Sequence, residues 1–191
     1  PLTNLDARLR LETRAALRRL QAEVGIATIY VTHDQEEALS LADTIVVMHD
    51  GRVQQVADAR ALYADPVNRF VAGFIGTPPM NFVPATLRHD GDGPRLDAGL
   101  FALPLPAGTR LDGLGREAAV TLGVRPEDVG LAPVDEAGPR GRVVVVEPLG
   151  DERIVSVALG APPAADAPVW KGRAPKGGLA GGLAPGDAVG L

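Results

Sequence analysis

The 191-residue chain is 46% apolar and 23% charged, the balance of a folded globular protein and not of a disordered one. Its 24 acidic and 19 basic side chains leave a net charge of −5, which excludes a strongly basic nucleic-acid footprint. It contains no cysteine, which excludes disulfide frameworks, thiolate zinc sites and cysteine nucleophiles, and no apolar run approaches the ~20 residues that span a bilayer.

The chain reads as two unlike halves. Thr3-Asn4-Leu5-Asp6 has the spacing of a capping box, a hydroxyl followed three residues later by an acid. Behind it Leu5, Leu9, Ala16, Leu17, Leu20 and Val24 recur at helical spacing. Arg8, Arg10, Arg14, Arg18 and Arg19 take the other faces and read as a solvated surface. Gly25 stops that helix. The β-branched run Ile26–Val31 predicts a strand buried on both faces, and Asp34–Ala42 a second helix with acids in its first turn. Thr44–Met48 predicts another buried strand, and Asp50-Gly51 a tight hairpin turn into Arg52–Val56. Short helices are expected over Asp58–Ala64 and Val67–Phe74, on either side of Pro66. Strand and helix in alternation, with apolar strands, predict an α/β layer fold with a largely parallel sheet.

Gly76-Thr77-Pro78-Pro79 marks a boundary, since two consecutive prolines cannot continue a helix. From Phe82 onward the helical period disappears. Short alternating segments at Phe82–Arg88, Leu100–Leu105, Ala118–Val124, Arg142–Glu147, Arg153–Leu159 and Ala188–Leu191 are separated by Gly, Pro and Asp, the pattern of a small barrel or sandwich. Gly160–Gly186, dominated by Ala, Gly and Pro, reads as mostly loop with Trp170 as its packing anchor.

Few residues offer chemistry. His33 falls just past the carboxyl end of the expected 26–31 strand, the edge at which ligands collect in open α/β sheets. An imidazole there can donate to a phosphate oxygen or accept from water; equally, it can satisfy a loop carbonyl. His49 and His89 stand beside turns and read as solvent-exposed, and three scattered histidines lack the spacing of a metal site. Asp34, Glu36 and Glu37 are most simply acids at the positive end of a helix dipole. Arg125-Pro126-Glu127-Asp128 makes a charged corner, a turn or a contact surface. A phosphate-cradling loop needs Gly-x-x-x-x-Gly-Lys-Ser/Thr, and neither of the two lysines, Lys171 and Lys176, stands in that context.

Several segments, in order, carry a family resemblance. Pro1-Leu2-Thr3-Asn4-Leu5-Asp6 and Tyr30-Val31-Thr32-His33-Asp34-Gln35-Glu36-Glu37-Ala38 closely resemble the D-loop and H-loop of an ABC-transporter ATPase subunit. The likeness continues through Ala42–Met48, Asp50-Gly51-Arg52 and Leu62–Pro66, although Ala57 and Ala59 stand where that family usually has Gly and Pro. Phe74–Phe82 resembles the junction to the C-terminal regulatory domain in carbohydrate importers of the maltose/glycerol-phosphate type. Gly123-Val124-Arg125-Pro126-Glu127 and Val146-Glu147-Pro148-Leu149-Gly150 resemble the OB-type barrel, or TOBE domain, of the same subfamily. The resemblance is dense over 1–83 and patchy to about 157.

The resemblance implies α/β followed by all-β: the C-terminal part of an ABC ATPase domain over 1–75, a Pro-rich junction over 76–81, and a TOBE/OB-like regulatory domain over 82–191. It makes His33 the switch histidine that contacts the γ-phosphate and helps place the attacking water. Asn4, Leu5 and Asp6 become a D-loop that crosses a dimer interface to the partner's nucleotide. No residue is implied as a metal ligand. The full-length subunit uses ATP and Mg. This chain lacks the phosphate loop, the signature sequence and Walker B, so it is expected to be a fragment that holds no cofactor alone. The implied partners are a second copy, membrane-spanning permease subunits and a sugar-binding protein, without nucleic acid, and the implied location is cytoplasmic, peripheral on the inner membrane face. Two other readings stand beside this one: an isolated regulatory or dimerisation module that binds a small ligand or protein without catalysis, and an anion-binding barrel of the molybdate or iron type. Pro78-Pro79-Met80-Asn81 favours the carbohydrate importers over that last class.

Overall fold

The computed structural model describes residues 7–90, 93–106, 108–111, 113–134, 139–160 and 162–191, and the chain divides into two units between Thr77 and Pro78. In the first unit, α1 (Ala7–Val24) ends where Gly25 adopts φ +67°, and the Gly25 N–H closes the last turn on the Gln21 carbonyl at 2.9 Å. A left-handed residue at that position costs a glycine little and any other residue more.

The predicted strand over Ile26–Val31 does not form. Residues 26–32 carry no regular secondary structure, no strand pairs with them among the described residues, and Ile29 and Val31 are 94% and 89% exposed. A β-branched run favours extended backbone, but a strand also needs a neighbour to take its N–H and C=O groups.

α2 (Gln35–Leu41) follows, with Asp34 as its N-cap, its carboxylate accepting from the Glu37 N–H at 3.2 Å. Then β1 (Ile45–His49) and β2 (Arg52–Ala57) form an antiparallel hairpin in the register His49 opposite Arg52. The turn residues Asp50 and Gly51 sit at φ +48° and +73°, the pair of left-handed conformations that a two-residue hairpin turn requires. The expected parallel pairing is corrected here: all ladders among the described residues are antiparallel. α3 (Ala59–Ala64) and α4 (Arg69–Phe74) are each opened by a side-chain cap, Asp58 to the Ala61 N–H and Asn68 to the Val71 N–H. Ile45 and Val47 point from β1 into a core with Leu62, Val71 and Ile75. Burying side chains such as Leu62 and Val71 completely stabilises by roughly 1.5–3 kcal/mol each.

Among its described residues the second unit is β-structure apart from one short helix and a 3-10 turn. One sheet has the order β5-β4-β3-β6, from β3 (Asn81–Asp90), β4 (Gly93–Asp97), β5 (Ala102–Pro104) and β6 (Glu117–Val124). The other has the order β10-β7-β8-β9, from β7 (Arg140–Leu149), β8 (Glu152–Leu159), β9 (Val169–Pro175) and β10 (Ala188–Gly190). This is an OB-like β unit behind a partial α/β unit, as the sequence implies. The stretch 160–186 is more ordered than its composition suggests, since it contains β9 and α5 (Leu179–Gly182). The reason is pairing: β8 supplies a full partner edge, with Val157 opposite Trp170 and Glu152 opposite Pro175. Trp170 is the anchor there, buried with Val83, Val129 and Leu159 and edge-on to Phe101 at 5.6 Å.

Besides that apolar packing, a side-chain amide joins the two sheets. Asn81, at the start of β3, donates from Nδ2 to the Lys171 carbonyl at 2.8 Å, and its Oδ1 accepts from the Lys171 N–H at 2.7 Å. A buried amide thus occupies the place of a missing neighbour strand on β9.

Tight backbone approach sets one stability prediction. A Cβ on Gly141 would lie 2.5 Å from the Ala158 carbonyl oxygen and against Val157 across the β7–β8 ladder. Gly141→Ala is expected to lower the stability of this unit by about 2–3 kcal/mol. Gly177→Ala, with nothing within 4 Å, is expected to change it by less than about 0.5 kcal/mol. Urea unfolding followed by Trp170 emission separates the two; equal midpoints would contradict the packing.

Candidate functional site

The segment from Tyr30 to Glu37 is folded around a carboxylate. Glu37, in the first turn of α2, is 5% exposed, and its Oε2 accepts from the Tyr30 hydroxyl at 2.9 Å and from the Thr32 hydroxyl at 2.8 Å. The Thr32 oxygen in turn accepts from the Asp34 N–H at 2.9 Å. With Asp34 capping the Glu37 N–H, the bend containing His33 is closed by four hydrogen bonds over eight residues. A buried carboxylate without donors would be costly; here two hydroxyls replace its water. At the far end of the same loop Gln35 Oε1 accepts from the Gly76 N–H at 3.0 Å.

Two arginines one turn apart on α1 bracket α2. Arg14 reaches Asp34 at 3.3 Å and Glu36 at 3.4 Å at the start of α2. Arg18 reaches the Leu41 carbonyl and the Asp43 carboxylate, the latter at 2.7 Å, at its end. Arg18 at the carboxyl end follows the helix dipole, whereas Arg14 stands at the amino end because the acids Asp34 and Glu36 are there.

His33 itself is exposed on the bend before α2 and makes no hydrogen bond among the described residues. Its backbone is fixed on both sides while its imidazole stays available, which suits a group that must meet something outside this unit. Asn4, Leu5 and Asp6 lie outside the described residues, as does the capping box. His49 is half-exposed and stacks on Phe70 at 4.0 Å, and Phe70 stacks on Phe74 at 5.5 Å. His89 is exposed on β3 opposite Pro94. Among the described residues no three His, Asp or Glu side chains gather as metal ligands.

Two residues change role. Glu37, read as a dipole acid, is the buried hub of the loop. Arg14, read as part of a solvated face, is 7% exposed. The available signal for Glu37 was the pair of hydroxyls at Tyr30 and Thr32, seven and five residues before it; Arg14 flanks the apolar stripe three residues before Leu17. In the second unit the charged corner is a 3-10 turn over Pro126–Asp128, with both Arg125 and Pro126 buried. Burial lowers the Arg125 guanidinium from its ordinary value, and the nearby Asp128 opposes that shift.

Comparison with known proteins bears on both units. Residues 76–129 match the MalK OB fold domain, and residues 122–191 match the TOBE domain. The xylose/arabinose import ATP-binding protein XacK of Haloferax volcanii is 48% identical over 161 residues, covering 81% of this chain and 40% of that protein. The trehalose/maltose import ATP-binding protein MalK of Thermococcus litoralis is 46% identical over 171 residues, covering 84% and 45%. The lactose transport ATP-binding protein LacK of Rhizobium radiobacter is 46% identical over 158 residues, covering 81% and 43%. The chain spans about two fifths of the length of these relatives.

The loop makes a prediction of its own. Desolvation, then the hydrogen bond to Glu37 and its charge, raise the Tyr30 hydroxyl above its ordinary value of 10, against a smaller opposing pull from Arg14. A raised folded value means that Tyr30 contributes stability in full below pH 10 and loses it as pH climbs through the higher folded value. Glu37→Gln is expected to bring the Tyr30 midpoint down toward 10, and Tyr30→Phe to remove that step, in an ultraviolet titration of the phenols. A Tyr30 midpoint unmoved by Glu37→Gln would show that the carboxylate does not hold it.

Proposed function

From the premise that this chain is a homologue of the ATP-binding subunits of ABC sugar importers and carries their MalK-type OB fold and TOBE domains, we propose that it supplies the C-terminal portion of such an energy-coupling subunit. The observation that carries this reading is His33, an exposed imidazole on a bend whose backbone is pinned by Thr32, Asp34 and Glu37. In this role its N–H donates to an oxygen of a terminal phosphate and its fixed position orients the attacking water. Phosphoryl transfer gains most of its rate from such positioning and charge stabilisation.

The side chains present fit one wall of a nucleotide site. They offer an imidazole to a phosphate and no loop that grips one, since Lys171 and Lys176 belong to the β unit. ATP, when bound, supplies the phosphoryl group to be transferred; this chain contributes the donor that faces it. The donor set does not fit a resident magnesium ion, and no step is assigned to one. The remaining parts of the proposal rest on the sequence resemblance: Asn4, Leu5 and Asp6 as a D-loop contacting a second copy's nucleotide, permease subunits and a sugar-binding protein as partners, and a place on the inner membrane face. Among the described residues no helix is long and apolar enough to cross a membrane.

Two measurements test the proposal. Titration calorimetry of the chain with Mg-ATP is expected to show no binding, and a micromolar Kd would overturn the half-site reading. In the intact importer, His33→Ala is expected to lower ATP turnover by about 10²-fold or more while ATP affinity changes little. An unchanged turnover would remove His33 from the reaction.

A further inference from the structure

Three charged side chains are withdrawn from water among the described residues: Glu37, Arg125 and Arg14. Glu37 is accounted for by the loop it organises, and Arg125 by the turn that it opens. Arg14 is different, because it stands on another element and both its partners lie at the start of α2, immediately after His33.

We propose that Arg14 is the positioning residue for His33, locking the histidine bend to the axis of α1. The inference rests on the reading of His33 given above. The Arg14 side chain is 8% exposed, whereas its partners Asp34 and Glu36 are 28% and 76% exposed. The acids are therefore drawn to a guanidinium fixed in the protein, and not the reverse. Asp34 is the residue immediately after His33. One of its carboxylate oxygens takes Nη2 of Arg14, and the other caps the Glu37 N–H, so a single side chain is shared between α1 and the first turn of α2. The planar fork of an arginine suits this task, since its two terminal nitrogens reach two acids with little freedom left. Nε of Arg14 has no hydrogen-bond partner, a desolvation cost tolerated for that geometry.

Arg18, one turn further along α1, holds the other end of α2 through Leu41 and Asp43. α1 and α2 are thus joined at two points, and a shift of α1 carries the bend with it. Arg18 and Asp43 are exposed, 46% and 74%, and an ion pair in water is weak. The precision must come from the buried end, at Arg14.

Hydrogen–deuterium exchange on the 191-residue chain tests this directly. In Arg14→Gln the amides of residues 33–38 are expected to exchange roughly tenfold faster, the loss of a charge-assisted tie, while those of β1, β2, α3 and α4 change less than about twofold. Arg14→Lys, which keeps the charge without the fork, is expected to recover part of the protection. Should Arg14→Gln fail to fold, Asp34→Asn weakens the same tie from the other side and is read in the same way. Unchanged protection at 33–38, or a loss spread evenly over the whole unit, overturns the proposal. In the intact importer the same substitution is expected to lower kcat with KM for ATP unchanged, and a full kcat would also overturn it. If instead His33→Ala leaves turnover intact, the functional reading fails, and the exchange pattern still decides whether Arg14 holds the bend.

Discussion

A carboxylate shut away from water has to find donors, and the first unit is arranged around that requirement at Glu37. Its Oε2 draws the hydroxyls of Tyr30 and Thr32 to within 3 Å. Those two contacts pull the segment after α1 down onto the start of α2. His33 is left on the outside of the resulting bend, while Thr32, Asp34 and Glu37 on either side of it are engaged in hydrogen bonds. The exposure of the imidazole is a by-product of burying the acid four residues later. Neutralising Glu37 would therefore disturb more than one hydrogen bond: the Thr32 hydroxyl that also receives the Asp34 N–H would lose its orientation, and with it the cap of α2.

Local signals were legible wherever the chemistry was local. Asp50-Gly51 announces a turn that only left-handed backbone can make, and both residues take it. Gly25 and Asp34 mark helix ends by their own side-chain properties, without reference to distant partners. Ile26–Val31 shows the limit. Its composition favours extended backbone, but the ladder that would make it a strand is a property of two segments. β9 shows the converse: Val169 and Trp170 favour a strand, but the Lys, Gly, Arg, Ala and Pro that follow do not, and they join the ladder because β8 offers them a partner edge.

The candidate site was half legible for the same reason. The position of His33 just before a helix can be read from the order of residues. The burial of Arg14 cannot, because arginines at regular intervals along a helix look alike until a second element packs on one of them. Arg14 and Arg18 differ by a single turn, and yet one is sequestered and the other half in water. Which one becomes the anchor depends on where α2 comes to rest, and that depends on the apolar contacts of Ala38, Leu39 and Ala42 with the core around Leu62.

The Asn81 clamp on Lys171 has a consequence for the order of events in synthesis. Its two partners stand 90 residues apart in the chain. When β3 leaves the ribosome, the peptide group that its amide must grasp has not yet been translated, so its sheet waits with a carboxamide held only by water. Closure over so long an interval is slow compared with hairpin formation. During that delay the nascent chain carries a polar hook aimed at the place that β9 will fill, and a premature stop before Lys171 leaves it without its intended mate.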